Sequence, residues 1–224
     1  MAHAAPPATS AADKVVFDEI TRDLVRIFDD RLMSLLAYGE RDDQGLHTLA
    51  LVERLSFRDL AQCAPRMAAW RRLGLATPLM LTPDEFRRTL DVFPLEYGEI
   101  IERHTILAGS NPFPALSVPH ADLRRGVEQA AKSHLIHLRE GFLETSGEAR
   151  AIAHLVAASA NAFRALLVNL ERLDPGSAAR AGATDELLRE VAAAADAAIA
   201  DPSALFARYI AVVERLWQYV DAWR

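Results

Sequence analysis

Few side chains in this sequence are spaced so that they could do chemistry together. His134 and His137 are three residues apart, so on a helix they share a face, and His154 falls on the segment that follows. With a turn near Ser146, His137 and His154 come to similar heights in an antiparallel hairpin. Three imidazoles can make a Zn²⁺ ligand set. Nothing in the spacing forces all three to one point, and the alternative is polar-face or hydrogen-bonded core histidines. The carboxylates are no better grouped. Asp42 and Asp43 are adjacent, so in a strand they point to opposite faces. Glu53 shares a face with His47 but lies six residues on, about 20 Å along a strand. No Gly-x-Ser-x-Gly elbow is present for a serine nucleophile, and no Gly-x-x-x-x-Gly-Lys phosphate loop. Gly109-Ser110-Asn111-Pro112 reads as a turn. Cys63 is the only cysteine and sits in the apolar stretch Leu60-Ala61-Gln62-Cys63-Ala64. It is expected to be a small buried hydrophobe, and a single thiol fits a reducing cytosol.

The bulk properties narrow the partners. At 224 residues the chain has room for one large domain or two small ones. It is 51% hydrophobic, enough for a real core. Its formal net charge of -6 gives no general pull toward phosphate backbones. The arginine pairs Arg71-Arg72, Arg87-Arg88 and Arg124-Arg125 are flanked by acids or lie on helices, and read as solvated faces. Nucleic acid is therefore not an expected partner. Met1 to Asp13 is rich in Ala, Pro, Thr and Ser, has no basic start or apolar run, and is expected to be a disordered tail rather than a signal peptide. The most apolar long stretch, Ala151 to Leu170, carries His154, Asn161 and Arg164, which points to a bundle helix and not a membrane span. The expectation is a cytoplasmic protein.

The elements that must position any site follow from periodicity. Val16, Ile20, Leu24, Ile27 and Phe28 recur at helical spacing within residues 14–31, with acids and arginines on the other face. Leu32 to Tyr38 reads as a buried strand ending at Gly39. After a polar loop over 40–45, His47 to Val52 reads as a second strand. Ser56 with Asp59 opens a helix that runs to about Leu73 and stops near Gly74, with Pro65 kinking or splitting it. Pro78 to Leu81 is a third short strand. Thr82, Pro83 and Glu85 then start a short helix to Leu90. Phe93 to Leu107 is expected to be a strand interrupted around Gly98. From Pro119 the pattern is helical only, over about 119–145, 147–173, 184–200 and 202–223, broken at Asp174-Pro175-Gly176 and Asp201-Pro202. Short connections between long helices imply antiparallel neighbours. Trp217, Tyr219 and Trp223 on the last helix read as core packing, with an oligomer surface as the alternative.

Several segments, taken in order, resemble the nucleotidyltransferase superfamily. Leu35-Leu36-Ala37-Tyr38-Gly39-Glu40 resembles the strand and glycine turn that open its core. Leu90-Asp91-Val92-Phe93-Pro94-Leu95-Glu96-Tyr97 and Glu102-Arg103-His104-Thr105-Ile106-Leu107-Ala108-Gly109 look like segments common in bacterial members. Leu138-Arg139-Glu140-Gly141-Phe142-Leu143 is similar to the first helix of their bundle. The resemblance covers roughly residues 22–145 and implies an α+β fold. A small mixed sheet with flanking helices over 14–117 is followed by an all-α antiparallel helical bundle over 118–224.

In active members the turn is Gly-Ser and the next strand carries Asp-x-Asp. Residues i and i+2 of a strand share a face, so the two carboxylates can hold Mg²⁺ ions roughly 4 Å apart. Here Glu40 follows Gly39 where the serine should be, and His47 and Leu49 stand where the aspartates should be. Leucine ligates no metal, and neutral imidazole is a poor Mg²⁺ ligand. Glu96 or Glu99 could occupy the position of the third family carboxylate. The expectation is a catalytically degenerate member that acts as a nucleotide-binding or protein-interaction module, self-associating or binding a partner through its bundle. The alternative is an active, Mg²⁺-dependent enzyme moving a nucleotide from an NTP to a small molecule or protein. A second alternative is one subunit of a two-component, toxin–antitoxin-like pair. Arg150 and His154 resemble the Arg…His pair of helical-bundle RNases, but with one residue too few between them.

Overall fold

The computed structural model describes residues 10–39, 41, 44–195 and 199–223. Contacts divide these residues into two units at Pro119/His120. In the first, helix α1 (Ala11–Phe28) buries Val16, Phe17, Ile20, Leu24 and Phe28 along one stripe. Its start is fixed by a reciprocal cap. The Asp13 amide donates to the Ser10 hydroxyl at 3.1 Å, and the Ser10 amide donates to the Asp13 carboxylate at 3.0 Å. The tail expected over 1–13 therefore gives way to helix from Ser10 onward, because the cap satisfies amides that the sequence reading left to solvent. Residues 1–9 of that tail lie outside the described residues.

A 3₁₀ turn, Asp29–Arg31, leads into strand β1 (Leu32–Tyr38), which pairs antiparallel with β2 (His47–Val52). Ser56 and Asp59 cap α2 (Phe57–Cys63) reciprocally. Pro65 lacks an amide hydrogen, and the helix passes through a 3₁₀ turn at Ala64–Arg66 before resuming as α3 (Met67–Arg72). Strand β3 (Leu79–Leu81) then runs parallel to β2. Helix α4 (Pro83–Arg88) follows, capped by Thr82 and Glu85. Next come α5 (Pro94–Glu102) and β4 (His104–Gly109), the latter antiparallel to β1. The sheet order is β3-β2-β1-β4, a small mixed sheet.

One expectation fails here. Residues 94–102 are helical, and the strand is confined to His104–Gly109. Pro94 occupies the first helical turn, where its missing N–H costs nothing. Tyr97 and Ile100 then fall three apart on one buried face. That helical spacing outweighs the β-branched composition that suggested a strand.

Both faces of the sheet are covered. On one, Leu35, Ala37, Ala50 and Val52 pack with Ile20, Leu24 and Trp70. On the other, Leu36, Leu49 and Leu51 pack with Phe86, Tyr97, Ile100 and Phe113. The first layer contains a buried charge. Asp23 accepts a hydrogen bond from the Trp70 indole at 3.1 Å, with the Arg26 and Arg66 guanidinium groups 3.9 and 3.8 Å away.

The second unit contains α6 (His120–Glu144), α7 (Ala149–Leu173), α8 (Ser177–Arg180), α9 (Asp185–Ala192) and α10 (Pro202–Asp221). These form the expected all-α bundle. Helix α7 is long and apolar enough to cross a membrane by length and composition. Here its stripe of Ile152, Val156, Phe163, Leu167 and Leu170 is buried, and the helix packs against α6, α9 and α10. The helix expected over 184–200 ends at Ala192, where the backbone turns, and residues 196–198 of it lie outside the described residues. On α10, Tyr209, Val212, Leu216 and Val220 are buried. Tyr219 and Trp223 are half-buried and meet edge to face, and the Tyr219 hydroxyl donates to Asp174 while accepting from Arg180.

The Trp70 indole is the donor at close range to a buried carboxylate. Trp70→Phe is expected to cost about 1–3 kcal/mol of stability by leaving Asp23 short of a partner. Urea denaturation of the variant beside the parent chain measures it.

Candidate functional site

Of the residues singled out by the sequence, Gly39, His47 and Glu96 come to one end of the sheet, where β1 ends and β2 and β4 begin. Tyr38, the last residue of β1, pairs with His47 on one side and His104 on the other. Strand alternation puts these three side chains on the face that carries Leu36 and Leu49. The Tyr38 and His47 rings lie 5.7 Å apart at a tilt of 36°. His104 Nδ1 is 2.8 Å from the Ile100 carbonyl. The bond requires a hydrogen on Nδ1, which leaves Nε2 as the acceptor of the neutral ring. The same ring meets Phe113 edge to face at 5.4 Å.

Gly39 follows directly and has φ +65°, a conformation that β-carbon sterics disfavour in other residues. An added β-carbon there would meet nothing within 4 Å, so the turn is open and the requirement for glycine is conformational. Helix α5 brings Glu96 to the same end, within electrostatic reach of His47 and Glu99. Although much of its surface meets solvent, crowding by the surrounding protein raises the pKa of the Glu96 carboxyl. Charge on His47 acts in the opposite direction, and the Glu99 carboxylate adds to the rise. Glu99 itself stands 3.9 Å from the Arg103 guanidinium.

Leu49 does not reach this surface. It is fully buried, at 0% exposure, among Leu36, Leu51, Phe86 and Ile100. His47 stands two residues earlier on the same face and is half-buried. Of the two positions where the resemblance implies paired carboxylates, one therefore carries an imidazole at the sheet's end and the other a core leucine. That donor set does not fit two Mg²⁺ ions, which need several oxygen ligands between them. Glu40, Asp42 and Asp43 lie outside the described residues. Tyr38 and His104 were not recognised as neighbours of His47 in the sequence. The β1–β2 register sets Tyr38 beside His47, and the β4 register sets His104 on its other side.

The histidines of the second unit do not converge. His134 Nε2 is 2.6 Å from the Tyr209 hydroxyl, and its ring stacks on Phe163 at 5.6 Å. Ser159 Oγ lies 3.1 Å from the same hydroxyl. His137 and His154 are exposed, and His137 Nδ1 is 3.2 Å from Ser133 Oγ. Among the described residues no group of three His, Cys, Asp or Glu side chains is placed to hold a metal ion. Burial pushes the His134 pKa down to about 4, and His137 adds to the shift.

Comparison with known proteins matches the fold. No family model matches the chain, and no curated protein matches it. Among solved structures it is similar to the crystal structure of a spectinomycin adenyltransferase from Enterococcus faecialis with ATP and spectinomycin. The TM-score is 0.55 and the identity 10%, over 90% of this chain and 98% of that one. At that identity the likeness concerns the fold alone. This chain has a nucleotidyltransferase-like α+β fold.

Two outcomes are expected from these sites. Leu49→Asp buries a carboxylate without a partner and should destabilise the chain by about 3–5 kcal/mol or prevent folding, whereas Leu49→Met should cost less than about 1.5 kcal/mol. Urea unfolding distinguishes these outcomes. His134 is the second case. Its folded pKa of about 4 lies below the ordinary 6.5, so the unfolded chain binds the extra proton. The stability from keeping it neutral is complete above pH 6.5 and is lost as the pH falls toward about 4. The loss is on the order of 3 kcal/mol. His134→Gln should flatten that acid limb in urea titrations across the same range.

Proposed function

We propose that this chain is a catalytically degenerate nucleotidyltransferase-like protein, a binding module in which any nucleotide is held without the two-metal centre. The observation that carries this reading is the state of β2: an imidazole at His47, and at Leu49 a leucine sealed in the core. A carboxylate pair on that face would draw Mg²⁺ and, through it, a triphosphate. An imidazole beside Tyr38 and Gly39 offers instead a ring face and a nitrogen, which can meet a nucleotide directly. The ATP in the adenyltransferase of similar fold supports nucleotide as the ligand class. On this reading the protein acts in the cytoplasm, and its bundle helices provide the surface for a protein partner or a second copy.

Isothermal titration of the chain with ATP, GTP, CTP and UTP, each with and without Mg²⁺, tests the proposal. The expected result is nucleotide binding that Mg²⁺ does not strengthen, with no pyrophosphate released. Binding that requires Mg²⁺ and is accompanied by pyrophosphate release would overturn it in favour of an active transferase. Absence of binding to all four would shift the role to protein interaction through the bundle.

A further inference from the structure

A cavity lies in the first unit, away from the Gly39 turn. Its floor is Leu51, four residues beyond His47 and so roughly 13 Å along the strand. The cavity is about 290 Å³, at the lower end of the ~300–1,000 Å³ usual for small-molecule sites. Phe86 and Phe113 line it, stacked on each other at 4.8 Å. Both are buried, as is Leu51, so the interior is apolar.

Its outer wall is rigid. Pro112 and Pro114 fix two backbone φ angles on either side of Phe113. The Phe113 amide donates to the Asn111 side chain at 2.9 Å, and the Leu116 amide donates to the Phe113 carbonyl at 3.2 Å. Just upstream, Ser34 donates to the Ser110 carbonyl and ties the loop to β1. Gly109 has φ +77°, and an added β-carbon would come within 2.1 Å of the Met33 carbonyl oxygen, so the loop turns there against the strand's backbone. A wall held in this way needs little ordering when a ligand enters.

Among the described residues, Arg87 is the charged side chain lining the cavity. Arg87 shares its carboxylate partner: Asp84 stands 3.7 Å from Arg87 and is held at 2.9 Å by Arg88. Glu85 is spent on the Thr82 cap, accepting from its amide at 2.7 Å. One carboxylate thus serves two guanidinium groups, of which that of Arg87 lines the apolar pit. We infer that this cavity binds a small apolar monocarboxylate, its body against Phe113, Pro112 and Leu116 and its carboxylate on Arg87. A guanidinium matches a carboxylate in geometry as well as in charge.

Phenylacetate is the probe, and phenylacetamide is its neutral counterpart of the same shape. Isothermal titration into the full chain should show saturable binding of phenylacetate, about tenfold tighter than phenylacetamide. Arg87→Gln should bring the acid down to the affinity of the amide. Ala115→Trp, a change at an exposed residue of the rim, should abolish binding of both. Matching melting temperatures show that the variants fold, and the comparison of acid with amide on the unaltered chain decides the matter without them. No saturable binding of phenylacetate, equal affinity for acid and amide, or binding that survives Ala115→Trp would overturn the inference. No nucleotide enters the experiment, so its outcome is independent of the reading of the Gly39 end.

Discussion

Strand β2 is enclosed by apolar layers on both faces, and much of the first unit depends on that confinement. Leu49 and Leu51 point to the layer of Phe86, Tyr97 and Ile100, while Ala50 and Val52 point to the layer of Ile20, Leu24 and Trp70. Its neighbours on both sides, β1 and β3, consume its backbone hydrogen bonds. An inner strand of this kind reads as a continuous apolar run, and it can show solvent only what stands at its ends. His47 is that residue. Of His47 and Leu49, only the first stands at the sheet's end, and the second is part of the core.

This confinement also explains what the sequence could reveal. Both central strands were legible with the bounds the structure gives, because apolar runs closed by Gly39 and by the polar loop leave little freedom in placing them. The reciprocal caps at Ser56 and Thr82 were legible for a similar reason, since a hydroxyl and a carboxylate three residues apart satisfy each other's amides. The stretch from Phe93 was not. Its composition suits a strand, and only the burial of Tyr97 and Ile100 against the sheet decides for helix. Glu96 was legible as a candidate acid, whereas the place of His104 across from Tyr38 depends on where β4 begins. The His134 network was equally out of reach, since its partner Tyr209 lies on a helix far along the chain.

An imidazole at the sheet's end attracts other groups than a pair of carboxylates would. Two converged carboxylates form a trap for hard cations and repel phosphate unless a metal intervenes. Imidazole is neutral or positive near physiological pH and carries no such repulsion. Glu96 remains as an acid nearby, but its raised pKa brings it closer to neutrality than an ordinary glutamate.

The bundle solves a different problem with related groups. Tyr209 is fully buried, yet its hydroxyl must be satisfied, and His134 and Ser159 supply the partners from two other helices. Buried polar contacts add little net stability, but each missing partner is costly. The three groups therefore act as a register lock. Sliding α10 by one turn along α6 or α7 would keep leucines against leucines but strand a hydroxyl and an imidazole in the core. The aromatic contacts of Phe163 with both His134 and Tyr209 reinforce the same alignment. In a unit rich in interchangeable alanine and leucine, this network and the α6–α10 ion pairs Lys132–Asp221 and Arg139–Glu214 distinguish one helix alignment from the next.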